Sequence, residues 1–319
     1  KSNTARIHFT VSREHAAIVK KHIEDVRPLY ERGKVTLKVA YSSQKPSTNF
    51  IAVDLENKPF RLPDGRLLFR PGGHGALLEN LSNLRGDIVI IKNIDNVVPD
   101  RLKGETYKYK RILGGYLVVL RETTFRYLEL LETGNPDMEL IEEVSCFARE
   151  KLLANLPGDF QEKNDEEKRK ILFSILNRPI RVCGMVRNVG EPGGGPFWVI
   201  DGSGSISLQV VESSQVDTNS PPQAKIWKSA THFSPTDFLC SVRDYKEKPF
   251  DLLKFRDSTA GFIAYKSRDG RDLKSIELPG LWNGGMAFWN SIFVEVPIIT
   301  FNPVKTILDL LRKEHLPGE

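Results

Sequence analysis

The sequence is poor in cysteine and contains no long apolar run, and both shortages limit what the chain can be. Its 319 residues include three cysteines, Cys146, Cys183 and Cys240, which stand far apart. This spacing matches neither a zinc site nor a disulfide framework, so we expect reduced thiols. The longest apolar stretches, such as residues 112–120, are much shorter than the roughly 20 residues of a membrane-spanning helix. The sequence therefore predicts neither a disulfide-rich domain nor a membrane protein.

Charge is nearly balanced, which does not favour a nucleic-acid ligand. Forty-six basic residues face 41 acidic ones, and the formal net charge is +5. The densest basic run, residues 108–111, is short, whereas nucleic-acid-binding proteins concentrate basic residues on one face. The chain starts with neither a Met nor an apolar signal region, so no secretion is indicated. We expect a cytoplasmic protein that binds neither nucleic acid nor a membrane.

Several familiar catalytic signatures are also missing from the sequence. There is no Walker loop, no His-Glu-x-x-His zinc motif, no Gly-x-Ser-x-Gly elbow and no Gly-x-Gly-x-x-Gly dinucleotide motif. Each of these motifs supports its chemistry through a specific local geometry, so none of those four chemistries is indicated by motif.

Periodicity predicts an α/β protein with a mainly parallel sheet. Residues 6–11 and 35–41 have strand patterns, and between them Ser12 is a plausible N-cap for a helix. Residues 76–84 have a helical pattern. Residues 87–91 are a nearly continuous apolar run, typical of a parallel strand that is covered on both faces.

The pattern changes twice along the chain. Helical period dominates from about residue 101 to 177, and short strands with Asp-Gly turn dipeptides follow from residue 178. We therefore predict a nucleotide-side α/β part at residues 1–100 and a helical insertion at 101–178. Residues 179–319 would form the second α/β part of the same domain.

One candidate binding loop is glycine-rich and directly precedes a predicted helix. It consists of Gly72, Gly73, His74 and Gly75. Glycines let backbone N–H groups approach a ligand, and the following helix would point its positive end at an anion or a base. The simpler alternative is a glycine-rich turn with no ligand.

A second candidate is the polar segment after the apolar run, where Asp95 lies in the sequence Asn-Ile-Asp-Asn. Open α/β sheets bind ligands at the carboxyl ends of their strands. A carboxylate there suits Mg²⁺, which prefers oxygen ligands and bridging phosphates. The alternative is an Asp that caps the next element.

These two segments, in this order, resemble motifs of the UDP-sugar pyrophosphorylases. In that family a Gly-His-Gly or Gly-Asn-Gly loop contacts the uridine, and a downstream Asp-Asn pair supplies a magnesium ligand. The resemblance implies a GT-A-like nucleotide-diphospho-sugar transferase fold, with a mixed, mainly parallel sheet and a helical insertion. It implies that Gly72, Gly73, His74 and Gly75 bind the nucleotide and that Asp95 holds Mg²⁺ as the cofactor.

The resemblance continues in the second half of the chain. Glu212 matches the family's glutamate that contacts sugar hydroxyls, a role that suits a carboxylate because it can accept two hydrogen bonds. Thr231 and His232 lie in a segment similar to the family's Ala-Asn-His-Phe, with Thr231 in place of Asn. By resemblance, all three residues would bind the sugar. The alternative for Glu212 is an exposed strand residue.

Lys305 matches the lysine of a Phe-x-Pro-x-Lys motif that contacts phosphate in these enzymes, so the resemblance implies a catalytic role. Asn302 and Pro303 suit the first positions of a helix. Lys305 would then lie in the first helical turn, where a bound phosphate would relieve the conflict between its charge and the helix dipole. The alternative is an ordinary surface lysine.

Nearly the whole chain also resembles a bacterial family of unknown function that shares the Pro-Gly-Gly-His-Gly and Leu-Trp-Asn-Gly segments. One pyrophosphorylase feature is missing, because nothing before Arg70 resembles the glycine-rich loop that holds the nucleoside triphosphate. A fragment that begins after that loop would explain this absence, and it would bind poorly and catalyse nothing.

The favoured function is nucleotidyl transfer, in which a nucleoside triphosphate and a sugar-1-phosphate are joined and pyrophosphate is released. Two alternatives stay open. A glycosyltransferase of the same fold would consume a nucleotide sugar instead, since fold alone does not fix chemistry. A non-catalytic nucleotide-sugar binding or scaffold protein would fit the missing loop.

Overall fold

The computed structural model of the chain describes residues 3–31, 35–133, 137–190, 193–202 and 204–317. These residues form a mixed α/β structure with six α-helices and several small sheets. The chain divides into two compact units. Unit 1 comprises Lys1–Leu84 and Thr259–Leu281, and unit 2 comprises Arg85–Ser258 and Trp282–Glu319.

The first half of the chain contains β1 (Thr4–Thr10), α1 (Ala16–Tyr30), β2 (Thr36–Ser42), β3 (Asn49–Ile51), β4 (Phe69–Pro71), α2 (Leu78–Ser82), β5 (Ile88–Lys92), α3 (Lys103–Thr133) and α4 (Met138–Glu150). The second half contains α5 (Asp165–Leu176), β6 (Ile180–Arg187), β7 (Gly195–Ile200), β8 (Ile206–Val211), α6 (Pro221–Lys228), β9 (His232–Ser241), β10 (Phe262–Arg268), β11 (Arg271–Glu277) and β12 (Asn290–Glu295).

Unit 1 begins with a β-α-β motif, in which α1 connects the parallel strands β1 and β2. Arg27 near the end of α1 donates to the Leu37 carbonyl at 2.7 Å and ties the helix to β2. Ser12 is not the N-cap that the sequence suggested. Its hydroxyl lies 2.7 Å from Nδ1 of His15, and the helix begins after His15.

The other strands of unit 1 form two antiparallel pairs, β3 with β4 and β10 with β11. Asp269 and Gly270 connect β10 to β11 with φ of 51° and 73°, as the Asp-Gly dipeptide predicts for a tight hairpin turn. Two backbone hydrogen bonds between Val53 and Lys274, of 2.9 and 2.7 Å, link the two pairs. A small core of Ala52, Phe60, Leu68 and Leu273 lies within this unit.

Unit 2 is built on a four-stranded sheet in the order β12-β6-β9-β5. β6 and β12 are parallel, and β9 is antiparallel to both of its neighbours. The carboxyl ends of β5, β6 and β12 and the start of β9 therefore lie side by side, along one edge of the sheet that is formed by strand ends. The prediction of a mainly parallel sheet is not confirmed, since two of the seven pairings between described strands are parallel.

β5 differs from its prediction as a strand covered on both faces. It is the last described strand of the sheet, and Ile88 and Ile90 are 37% and 58% exposed. An apolar run indicates that a strand is mostly buried, but it does not distinguish a central strand from an edge strand.

Three helices lie between residues 103 and 176, in agreement with the helical period of that segment, and α5 packs against both α3 and α4. α3 packs on β6 and β9, and Gly184 allows the close approach because a β-carbon there would lie 3.2 Å from Leu113. The helices and the sheet share one large apolar core. The division of the chain at residues 100 and 178 stays a prediction.

The start of α5 shows how the sequence specifies these helices. Asn164 accepts from the Glu167 N–H at 3.0 Å, and Glu167 accepts from the Asn164 N–H at 3.1 Å. This reciprocal capping satisfies two donors that a helix start leaves unpaired.

The prediction that a helix begins at Asn302 is wrong. Residues 301–304 are not helical, and Pro303 pairs with Asn96 in an isolated antiparallel bridge. A short 3-10 helix follows at Ile307–Leu311, where Thr306 and Asp309 form a capping box. Across the described residues, no helix has both the length and the apolar character needed to cross a membrane.

A test of the unit 2 core compares two leucines of α3. Leu117 is fully buried in the core, whereas Leu130 is 42% exposed. Leu117→Ala should lower the free energy of unfolding by about 2–5 kcal/mol, because it leaves a cavity. Leu130→Ala should cost well under half as much. Urea denaturation measures both, and equal losses would contradict the packing described here.

Candidate functional site

The candidate site in unit 2 lies at the sheet edge where β5, β6 and β12 end and β9 begins. Lys92, Arg187 and Glu295 are the last residues of their strands, and His232 is the first of β9. Polar side chains that are distant in sequence therefore meet at one edge.

Asp95 lies in the turn that follows β5 and is half-buried. Its backbone carbonyl accepts from the Val304 N–H at 2.9 Å. The next residue, Asn96, is buried, and its side chain accepts from the Asn302 N–H at 2.9 Å and donates to the Thr300 carbonyl at 3.1 Å. The Asn-Ile-Asp-Asn turn and the segment before Lys305 are thus held together by hydrogen bonds.

Lys305 directly follows this contact and is exposed. Its backbone N–H donates to a carboxylate oxygen of Asp309 at 2.9 Å. Because Lys305 lies before the short 3-10 helix and not inside a first α-helical turn, the expected conflict with a helix dipole does not exist. Its location next to the Asp95 turn comes instead from the extended pairing of residues 302–304.

Two lysines and a buried aspartate lie just inside this edge. Asp237 is 5% exposed and forms an ion pair with Lys110 of α3. Lys92 is the register partner of Asp237 on β5, and its ammonium donates to the carbonyls of Asn93 and Asn96. Partial burial and the nearby Lys110 ammonium lower the pKa of Lys92, which Asp237 and Asp95 partly offset.

A bulge in β9 sets the position of Asp237. Between the pairs Gly184–Asp237 and Val186–Phe233, β9 contains two more residues than β6. Thr236 takes up this excess with φ of 56°, in the left-handed region that is uncommon for residues other than glycine. Bulges of this kind redirect side chains next to binding sites.

Glu212 follows β8 and is half-buried. One of its carboxylate oxygens accepts from the Trp282 indole N–H at 2.9 Å. Nearby, the Gln215 side-chain oxygen accepts from the Glu212 N–H at 2.9 Å and from the Asn283 amide at 2.6 Å. The Glu212 carboxylate also accepts from the Gln215 backbone N–H in a capping box. It is therefore held by Trp282 of the Leu-Trp-Asn-Gly segment and by the short helix that follows Glu212.

Thr231 and His232 form a chain of polar contacts with Glu295. The Thr231 hydroxyl lies 2.8 Å from Nδ1 of His232, and Nε2 of His232 lies 2.9 Å from Glu295. Arg187 donates to the other carboxylate oxygen of Glu295 at 3.2 Å. The hydrogen bonds from His232 and Arg187 lower the pKa of Glu295.

The glycine-rich loop belongs to unit 1, and its glycines are needed for close packing within that unit. A β-carbon on Gly75 would lie 1.9 Å from the Pro279 carbonyl oxygen. Gly73 has φ of 73°, and a β-carbon there would meet Glu277 at 2.6 Å. Nδ1 of His74 accepts from the Leu281 N–H at 3.1 Å. The turn alternative thus accounts for the glycines, while a ligand role stays a prediction.

Gly72 is also explained by local packing, since a β-carbon would lie 2.6 Å from the Thr48 carbonyl. The predicted site residues therefore fall into two groups. Gly72, Gly73, His74 and Gly75 lie in unit 1, whereas Asp95, Glu212, Thr231, His232 and Lys305 lie in unit 2.

The predicted metal ligand has no cluster of further ligands around it. Among the described residues, no three His, Cys, Asp or Glu side chains converge in a way that could hold a metal ion. Sequence reasoning missed Lys92, Lys110, Asp237, Trp282 and Glu295. Lys110 stood out only as part of a short basic run. Asp237 lies outside the Thr231–His232 motif, so that motif did not indicate it.

The geometry defines a mixed α/β protein with a polar, partly buried site at a sheet edge. A family profile described as domain of unknown function DUF4301 matches residues 1–316. The chain belongs to this family. A search among curated proteins gives no significant sequence match.

The chain is similar to several solved structures. A variant of UDP-glucose pyrophosphorylase from Leishmania major in complex with UDP-glucose is 14% identical over 96% of this chain, with a TM-score of 0.48. A putative UDP-N-acetylglucosamine pyrophosphorylase from Entamoeba histolytica is 10% identical over 95% of this chain, with a TM-score of 0.42. The chain spans 54% and 61% of these two proteins.

The tight packing of the loop can be tested at Gly75. Gly75→Ala should destabilise unit 1 by about 1–3 kcal/mol, because the added methyl group overlaps the Pro279 carbonyl. Gly115→Ala is the control, since a β-carbon at Gly115 of α3 meets nothing within 4 Å. It should stabilise the protein by about 0.5–1 kcal/mol. Hydrogen exchange of the Leu278 amide, which donates to the Gly72 carbonyl at 2.9 Å, should accelerate only in Gly75→Ala.

The contacts of Glu295 predict a pH dependence. Because the pKa of Glu295 is lowered in the folded state, its stabilising contribution is complete at neutral pH. It is lost as the pH falls below the usual glutamate range of about 4.3 and through the folded-state pKa. Carboxyl ¹³C NMR should show Glu295 titrating below an ordinary glutamate, and His232→Gln should raise that pKa. A titration unchanged by His232→Gln would contradict the contact.

Proposed function

We propose that the chain is the substrate-binding part of a nucleotidyltransferase that joins a sugar-1-phosphate to a nucleoside triphosphate and releases pyrophosphate. One observation carries the proposal. The turn with Asp95 and the segment before Lys305 are more than 200 residues apart in sequence, and they are joined by hydrogen bonds of 2.9 Å from Val304 to Asp95 and from Asn302 to Asn96. The two motifs expected to handle metal and phosphate are thus neighbours.

Asp95 alone suits a magnesium ion that is shared with phosphate, because such an ion needs few protein ligands. Within the described part of the chain, the Asp95 carboxylate has no hydrogen-bond or ion-pair partner, whereas Asp237 is already paired with Lys110. Mg²⁺ commonly binds through one or two carboxylates together with substrate phosphates. Asp95 would hold such an ion, which would neutralise phosphate charge when bound.

Other predicted site residues would bind other parts of the substrate. Lys305 is exposed beside the Asp95 turn, and its ammonium would contact a phosphate group as a point charge. Glu212, Thr231 and His232 would bind sugar hydroxyls, and the fixed carboxylate of Glu212 is suited to that because its orientation is set in advance by Trp282. Binding of a nucleotide base by Gly72, Gly73, His74 and Gly75 is proposed for unit 1 by itself.

The reaction would be an in-line displacement. An oxygen of the sugar-1-phosphate forms a bond to the α-phosphorus of the triphosphate, and the bond from that phosphorus to the bridging oxygen of pyrophosphate breaks. Catalysis of this kind requires mainly positioning and charge stabilisation. Lys305 would stabilise negative charge on the phosphates, and Glu212 would orient the sugar.

A GT-A-like arrangement of the sheet and a cytoplasmic location belong to the same proposal. The location is compatible with the three cysteines, which are all free thiols. Because the chain spans little more than half of the pyrophosphorylases to which it is similar, activity is to be tested on the longest available gene product as well as on this chain.

Asp95→Asn and Lys305→Met test the proposal by calorimetry with UDP-glucose. The parent should bind more tightly with Mg²⁺ than without it, and Asp95→Asn should abolish this difference. Lys305→Met should weaken binding by about 1.5–3 kcal/mol, the usual contribution of a hydrogen bond to a charged group. Lys248→Met, at another exposed lysine of unit 2, should change nothing.

The released product separates the proposed function from its alternatives. A nucleotidyltransferase releases pyrophosphate from a triphosphate and a sugar-1-phosphate, whereas a glycosyltransferase releases a nucleoside diphosphate from a nucleotide sugar. Binding without either product would indicate a scaffold protein. A parent that binds no nucleotide with or without Mg²⁺ would overturn the proposal.

A further inference from the structure

Unit 2 contains a fully buried arginine that, among the residues the structure describes, has no carboxylate partner. Arg181 of β6 is 0% exposed. Its Nε donates to the Ser291 hydroxyl at 2.7 Å, and Nη1 donates to the Trp282 carbonyl at 2.6 Å and to the Met286 sulfur at 3.3 Å. Within the described residues, Nη2 has no hydrogen-bond partner.

The neighbouring thiols do not neutralise this charge. Burial raises the pKa of Cys183 to about 12 and raises the pKa of Cys240 as well, so both are neutral near pH 7. An unpaired buried charge is strongly unfavourable for folding. A contribution to stability therefore does not explain an arginine at this position. The groups that its guanidinium holds in place explain it better.

The guanidinium holds Trp282, and Trp282 holds Glu212. The Trp282 indole N–H donates to a carboxylate oxygen of Glu212 at 2.9 Å. The Phe238 ring packs edge-on against Trp282 with 6.2 Å between centroids, and it lies 5.8 Å from the Arg181 guanidinium carbon. The backbone and the ring of Trp282 are thus both fixed from the side of Arg181.

We propose that Arg181 is a positioning residue for Glu212 that acts through Trp282, and that it determines how well the site binds the sugar part of its ligand. This inference rests on the proposed sugar-binding role of Glu212. Arg181 is enclosed within unit 2 and would not touch the substrate. Its effect is to fix the direction of the indole N–H, and hence one oxygen of the carboxylate.

Arg181→Met separates positioning from stability. Methionine is nearly as long and fills the apolar space without a charge, so the variant should unfold at the same or a higher urea concentration. UDP-glucose should nevertheless bind about tenfold more weakly, because the carboxylate loses its fixed hydrogen-bond geometry. UDP, which has no sugar, should bind as it does to the parent. Calorimetry on the whole chain measures both ligands.

Two further variants test the route through Trp282. Trp282→Phe removes the indole N–H, and it should also weaken UDP-glucose binding without affecting UDP. The double variant should be no weaker than the stronger single one, because both changes break the same connection. Arg178→Met is the matched control, since Arg178 is half-buried and its Nε donates to the Ser174 carbonyl at 3.1 Å, whereas no hydrogen bond to Trp282 or Glu212 is found for it among the described residues.

A measurement without ligand keeps this inference distinct from the proposed function. The chain has four tryptophans, and the indole N–H signal of Trp282 is the one that Trp282→Phe removes from a ¹H–¹⁵N spectrum. Arg181→Met should shift this signal and accelerate its hydrogen exchange about tenfold, as expected when the hydrogen bond from the indole N–H to Glu212 is weakened by about 1.4 kcal/mol. Should that variant not fold, Ser291→Ala releases the Arg181 Nε and should shift the same signal.

The outcomes then separate cleanly. An unchanged Trp282 signal, or equal losses of UDP-glucose and UDP affinity in Arg181→Met, would overturn the positioning role. A shifted signal in a protein whose parent binds no UDP-glucose would overturn the proposed function and leave only a link from Arg181 to the Glu212 carboxylate.

Discussion

Unit 2 depends on the antiparallel pairing of β9 with β5 on one side and β6 on the other. This central strand reverses direction relative to its neighbours, so its first residue, His232, lies at the edge where the other strands end. Asp237 of the same strand pairs with Lys110 and ties α3 to the sheet. Without β9, the Asp95 turn after β5 would have no fixed relation to His232 or to Glu295 at the end of β12.

The polar groups at this edge are largely oriented before any ligand binds. Glu212 is held by Trp282, and Glu295 is held by His232 and Arg187. Fixed dipoles and charges of this kind need little reorganisation during a reaction, which is why they stabilise developing charge effectively. Lys305 is different, because it is exposed and only its backbone is fixed.

Local patterns predicted those elements whose stability is local. The Asp-Gly turn between β10 and β11, for example, follows from residues that accept positive φ. β9 was not predicted, because Pro235, Thr236 and Asp237 interrupt its alternation at the bulge. Contacts between residues that are distant in sequence could not be predicted from local patterns either. The Asn302–Pro303 pair suits a helix start as well as an extended strand, and only Asn96, 206 residues away, decides between them.

The position of β5 at the end of the described sheet has a consequence for the behaviour of the protein in solution. An edge strand exposes a row of unpaired backbone groups to which a strand of another molecule can add, and exposed isoleucines such as Ile90 favour that addition. β5 has only five residues and ends in Lys92. A short edge with a terminal cation limits how far such an intermolecular sheet can grow, so concentration-dependent aggregation would be expected to start here when Lys92 is neutralised.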